Sequence, residues 1–172
     1  MPITRPARSL ALALAVLGLV ACDDDDDNGA PAPERFTAQL AGSNEVPPVT
    51  TTASGSATFT AVGDTALSYT ITVSGLTGVT MGHIHSGAAG VNGPVLVWLA
   101  PPNGTAPQTP SGLTNGELSA GRINASWIRG VGGAPAISLD SLKRLLRTGN
   151  AYVNLHTSAN AGGELRGQIV RP

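Results

Sequence analysis

The chain has three histidines, and two of them stand two residues apart in Thr80-Met81-Gly82-His83-Ile84-His85-Ser86. Side chains alternate between faces along an extended strand, so His83 and His85 project from one face with Met81, and Ile84 from the other. Their backbones then lie about 7 Å apart, a gap that two inclined imidazoles close onto one metal ion or one partner group. The third, His156, ends Tyr152-Val153-Asn154-Leu155-His156, again extended in pattern, with Tyr152, Asn154 and His156 on one face. If the three converge, imidazole-only ligation suits copper or zinc, and three ligands leave one position open to water or substrate. Glu45 and Glu164 are the candidates for orienting the rings from behind. The competing reading makes each ring a hydrogen-bonded residue that fixes a loop, donating to a backbone carbonyl or to Glu45.

No other reactive arrangement is visible. There is no nucleophile with a base and an orienting acid, and the glycine-rich stretch Ser86 to Gly93 leads into a strand. It is therefore neither a phosphate loop nor a dinucleotide fingerprint, both of which open a helix.

The elements that must position the histidines are mostly short strands. Glycine (22) and proline (13) are abundant, while charged residues make up only 12% of the chain, about half the usual share. Leu67, Tyr69, Ile71 and Val73 alternate with Ser68, Thr70, Thr72 and Ser74, which predicts a strand with one apolar and one hydroxyl face. Phe36 to Ala41, Gly55 to Val62, Val95 to Leu99 and Gly163 to Val170 read as further strands. So does Glu117 to Ile128, with a break at Ala120-Gly121. Pro101 to Pro110 reads as a loop. One helix is expected: Ser138 and Asp140 supply N-terminal caps, Leu139, Leu142, Leu145 and Leu146 share a face, and Gly149 stops it. Lys143, Arg144 and Arg147 are expected on its solvated side. About eight strands with a helical crossover before the last two predict an all-β, antiparallel Greek-key sandwich or flattened barrel.

The N-terminus has another purpose. Arg5 and Arg8 precede the apolar run Leu10 to Leu19, which is too short for a membrane span of about 20 residues. Leu19-Val20-Ala21-Cys22 resembles a bacterial lipobox, which implies cleavage before Cys22 and lipidation of that cysteine. The alternative is an ordinary secretory signal. Cys22 is the sole cysteine, so no intramolecular disulfide forms. Asp23 to Asp27 and the Gly, Ala and Pro residues after them read as a solvated tether or a sorting signal. The expected division is a signal peptide over 1–21, a lipidated cysteine and tether over 22–33, and one domain over 34–172. From Glu34 onward six acidic face eight basic residues, with no basic patch interleaved with aromatics, so nucleic acid is not an expected partner.

Four segments together resemble the CHRD family, first described in chordin and also found in bacterial secreted proteins. They are Gly42-Ser43-Asn44-Glu45-Val46-Pro47-Pro48-Val49; His83-Ile84-His85 with Gly87, Gly90, Asn92, Gly93 and Pro94; Gly149 to Thr157; and Gly163-Glu164-Leu165-Arg166-Gly167-Gln168-Ile169. They run in family order. Ala161-Gly162 departs from the pattern, since a proline commonly precedes the family's final Gly-Glu. A weaker resemblance, to copper/zinc superoxide dismutase, rests on the His-x-His strand, the late strand ending in His, and Asn160-Ala161-Gly162. It implies a Greek-key sandwich with a copper site. Three histidines and one cysteine cannot supply that family's two-metal site or its subunit disulfide.

The expected function is a non-catalytic, lipid-anchored binding module of the bacterial cell envelope, on the periplasmic side or the cell surface. It would hold copper or zinc through His83, His85 and His156, or bind a protein or polysaccharide partner. A superoxide-dismutase-like redox enzyme and a structural or adhesive domain without a metal are the alternatives.

Overall fold

The computed structural model describes Met1 and residues 32–100, 115–130 and 135–172. Cys22, the expected signal peptide, the aspartate run and the loop expected over Pro101 to Pro110 lie outside the described residues.

Eight strands follow one another as β1 (Arg35–Ala41), β2 (Ser54–Val62), β3 (Ala66–Ser74), β4 (Val79–Ser86), β5 (Val95–Ala100), β6 (Asn115–Ile123), β7 (Ala151–Thr157) and β8 (Leu165–Gln168). The helix α1 (Leu139–Arg147) sits between β6 and β7, as its periodicity predicts. The strands form one sheet in the order β5-β4-β7-β8-β1-β2-β3-β6, and each neighbouring pair is antiparallel. The two edges, β5 and β6, are drawn together. Val97 bridges Ile128 just beyond β6, and the Tyr69 and Ser119 hydroxyls donate to the Leu99 carbonyl at 2.8 and 2.5 Å. The result is a nearly closed barrel, which leaves little unpaired strand edge.

Alternation explains the core. Phe36, Ala38 and Leu40 of β1, Leu67, Tyr69, Ile71 and Val73 of β3, and Val153 and Leu155 of β7 all point inward and are buried. Leu139, Leu142 and Leu146 of α1 join them. Ser138 caps that helix by accepting from the Ser141 N–H at 3.1 Å, which satisfies one of the amides a helix start leaves free.

Two local expectations are corrected. The chain does not break at Ala120-Gly121. Gly121 is there because a Cβ would press on the rings of Tyr69 and Trp127, at 3.0 and 3.3 Å, and β6 ends instead where Asn124 caps a short 3-10 turn over Ala125–Trp127. Nor is the basic side of α1 wholly solvated. Lys143 is buried and donates to the Gly63 carbonyl at 3.1 Å, and Arg147 pairs with Glu34.

Glu34 is the anchor at the start of the domain. It accepts three hydrogen bonds from Arg147, at 2.8, 3.1 and 2.8 Å, and pairs also with Arg171 near the C-terminus. Arg147, aided by Arg171, holds the Glu34 carboxyl down from 4.5 to about 2. A carboxylate with a lowered folded pKa stabilises above its unfolded value and loses that contribution as pH falls through the folded one. Because both arginines are largely exposed, Glu34→Gln should cost about 1 kcal/mol or less at pH 7. Urea denaturation should show this difference shrinking between pH 4.5 and pH 2.

Candidate metal centre

Strand β7 lies between β4 and β8. Its registers set Met81 opposite His156, His83 opposite Asn154 and His85 opposite Tyr152, while Asn154 faces Arg166 and Tyr152 faces Gln168 across to β8. Because the apolar partners of these residues fill the barrel, the polar set shares its outer face. An outer face is ordinarily wet, yet every residue of β7 is buried. Three segments cover it.

The segment after β1 brings Glu45 to Asn154, whose Nδ2 donates to both carboxylate oxygens at 3.1 and 3.0 Å. The loop over 87–94 is held by the Gln168 Nε2, which donates to the Gly87 carbonyl at 2.9 Å. Arg166 donates to Val91 O at 2.7 Å and to Asn92 Oδ1 at 2.8 Å in the same loop. The Gly93 N–H donates to the Tyr152 hydroxyl at 3.1 Å. Here glycine is a steric requirement, since a Cβ on Gly93 would overlap the Ser86 carbonyl. The third cover is the turn between β7 and β8, fixed by Glu164. Its carboxylate accepts from Thr157 Oγ1 at 2.6 Å, Asn160 Nδ2 at 3.0 Å and Thr51 Oγ1 at 2.8 Å.

Under these covers the three histidines meet. Each offers one ring nitrogen such that all three lie within 4.8 Å of one another. The His83 and His156 ring centres are 5.1 Å apart, those of His83 and His85 5.5 Å, and those of His85 and His156 6.3 Å. His85 Nδ1 is 2.9 Å from the Gly93 carbonyl and His156 Nδ1 is 3.0 Å from the Ala161 carbonyl. A carbonyl oxygen only accepts, so both Nδ1 atoms carry the proton and both Nε2 atoms present lone pairs. His83 Nδ1 sits 3.2 Å from His156 Nε2. Without a cation His83 must donate across that gap, which strands the His83 and His85 Nε2 lone pairs. Both of these atoms are buried without a hydrogen-bond partner.

Orphaned buried acceptors are costly, and a cation that takes up the His85 Nε2 lone pair removes that cost. The 3.2 Å between His83 Nδ1 and His156 Nε2 also matches two nitrogens on one tetrahedral ion, about 3.3 Å apart for bonds near 2.0 Å; in that arrangement His83 ligates through Nδ1 and its Nε2 carries the proton. The three histidines could therefore hold one metal ion.

Electrostatics keep the rings ready for such a role. Burial, then the nearby His156 and His85, push His83 down from 6.5 to about 3. His85 and His156 are also lowered by burial, against their hydrogen bonds to Gly93 and Ala161. All three are neutral at pH 7, the form that ligates metal.

The two glutamates stand further out. Among the described residues the histidine Nδ1–H groups donate to backbone carbonyls of the covering loops or to another histidine. Glu164 holds the turn that carries the Ala161 carbonyl, and Glu45 holds Asn154 opposite His83. Burial raises the Glu45 carboxyl. Burial also pushes Glu164 up, but its bonds from Thr157, Asn160 and Thr51 together hold it below the usual range.

The sequence puts Tyr152 on one face with His156 and gives neither Tyr152 nor Arg166 a role. In the structure Tyr152 stacks on His85, with ring centres 4.9 Å apart and planes 12° from parallel, and the Arg166 guanidinium lies 3.5 Å from the centre of the Tyr152 ring. Trp98 of β5 packs edge-to-face on His83 at 4.3 Å. The alternation marked their face, but nothing local in the sequence says that this face is covered.

An antiparallel barrel carrying a loop-covered cluster of three neutral histidines on its outside defines the class. A scan of family models matches the CHRD domain over residues 36–169, and the chain belongs to the CHRD family. Searches of curated proteins and of solved structures return no match, so the likeness to copper/zinc superoxide dismutase rests on the residues alone.

The buried histidines make a prediction for the metal-free protein. A group with a depressed folded pKa stabilises above its unfolded value, here 6.5, and that contribution is lost as pH falls toward the folded value. At pH 5 the unfolded chain gains about 2 kcal/mol from protonating a residue such as His83. The metal-free domain should lose denaturant resistance between pH 7 and pH 5, and His83→Gln should reduce that loss measurably.

Proposed function

We propose that this CHRD domain is a non-catalytic binding module that holds one copper or zinc ion through His83, His85 and His156. The observation that carries the reading is the convergence of one ring nitrogen from each histidine within 4.8 Å, with the His85 Nε2 lone pair buried and unpartnered. A bound ion would keep an open position and act there as a Lewis acid or as a docking point for a partner's ligand atom. The chain's own contribution is to fix two ring tautomers through Gly93 and Ala161, to hold all three imidazoles neutral, and to limit water through the covering loops.

The same proposal places the domain, over residues 34–172, at the bacterial cell envelope. Residues 1–21 serve as a signal peptide, Cys22 carries lipid that inserts in the bilayer, and 22–33 form the tether. The support is the Leu19-Val20-Ala21-Cys22 motif and the acidic run after it. Among the described residues no helix is long and apolar enough to cross a membrane. The macromolecular partner would be a protein or polysaccharide of the envelope.

Metal-free protein titrated with zinc or copper against a competing chelator should take up one ion per chain. His85→Ala and His156→Ala should each abolish that uptake, and tight binding by either variant would refute the three-histidine site. Separately, Cys22→Ser should remove acyl chains and release the protein from the membrane fraction. Retention of both would refute the anchor without touching the metal reading.

A further inference from the structure

Arg166 is 2% exposed, yet its charge has no carboxylate within ion-pair distance among the described residues. A buried cation that donates only to neutral groups, with the Glu45 carboxylate acting on it from beyond ion-pair distance, is costly unless its donors are well used. All the hydrogen bonds of its guanidinium go to one loop: to Asn92 Oδ1 at 2.8 Å and to the carbonyls of Val91 and Ala88 at 2.7 and 3.4 Å. Two residues from Val91 is Gly93, whose carbonyl receives the His85 Nδ1–H. The same guanidinium lies over Tyr152, and Tyr152 is stacked on His85. Since β7 stands between β4 and β8, Tyr152 is clasped between the guanidinium and the imidazole. Its hydroxyl also accepts from the Gly93 N–H. Two independent routes therefore run from Arg166 to one ring, one through the loop backbone and one through the aromatic stack.

We propose that Arg166 is the positioning residue of the histidine site. Its planar fork ties down the 87–94 loop and its face seats Tyr152. Together these hold His85 with Nδ1–H on Gly93 and the Nε2 lone pair turned to His83 and His156. This rests on the metal reading for its purpose but not for its geometry. Lysine keeps the charge yet cannot make several directed bonds to the loop while covering a ring face, so it separates positioning from charge alone.

The experiment is side-chain nitrogen NMR of the metal-free protein at pH 7.5, read with zinc affinity by chelator competition. The wild type should show His85 as a single Nδ1–H tautomer. Arg166→Lys should show His85 in mixed or exchanging tautomers, and its zinc affinity should fall by roughly 10- to 100-fold, the usual effect of losing an outer partner of a metal ligand. Asn92→Ala, which loosens the loop while leaving β8 intact, should shift both readouts the same way by less, and it decides the matter if Arg166→Lys fails to fold. A folded Arg166→Lys protein with the wild-type tautomer and affinity overturns the proposal, as does an unchanged tautomer in Asn92→Ala. If the wild type itself takes up no zinc or copper, the metal reading fails, and the His85 tautomer in the variants still decides the role of Arg166.

Discussion

Desolvation of a polar sheet face is the constraint on which this structure turns. The inner side of the barrel needs no explanation beyond the alternation of apolar residues. The outer side of β4, β7 and β8 carries imidazoles, an amide, a phenol and a guanidinium, and each must find a partner once water is excluded. Most do so through the covering loops: Gly93 and Ala161 accept from histidines, Val91 and Asn92 accept from Arg166, and Glu45 accepts from Asn154. The ring atoms left over are His83 Nε2 and His85 Nε2. The site is thus defined by what the loops leave unsatisfied as much as by the histidines themselves.

This arrangement assigns separate tasks to parts of the chain that sequence order keeps apart. His83 and His85 share β4, and β7 brings in His156 from 71 residues beyond His85, in antiparallel register with β4. The loop over 87–94 closes the site from one side and the turn before β8 from the other. Glu164 and Arg166, two residues apart, hold the two covers: the carboxylate fixes the turn and the guanidinium fixes the loop.

The elements whose residues report their own surroundings were readable in advance. Leu67 to Val73 declared a strand and its buried face, and Ser138 with the leucines of α1 declared a capped amphipathic helix. His-x-His declared two rings on one face. What alternation does not encode is whether a polar face is wet. Arg166 and Gln168 alternate with Leu165 and Gly167 as any solvated residues would, and the burial of Arg166 and half-burial of Gln168 depend on loops contributed by residues 42–53 and 86–94. Lys143 escaped for the same reason, since its partner is a carbonyl 80 residues away. Membership of the CHRD family, matched over residues 36–169, joins the segments that form the barrel with those that cover its histidines.

The central claim is that three imidazoles on the outside of this barrel form one ligand set. X-ray absorption at the metal edge of zinc- or copper-loaded protein tests it most directly. The account predicts a first shell containing three imidazole nitrogens near 2.0 Å, with one further light atom at most completing a four-coordinate site. A first shell with one imidazole or none would contradict it, and would return His83, His85 and His156 to the role of loop-fixing hydrogen-bond partners.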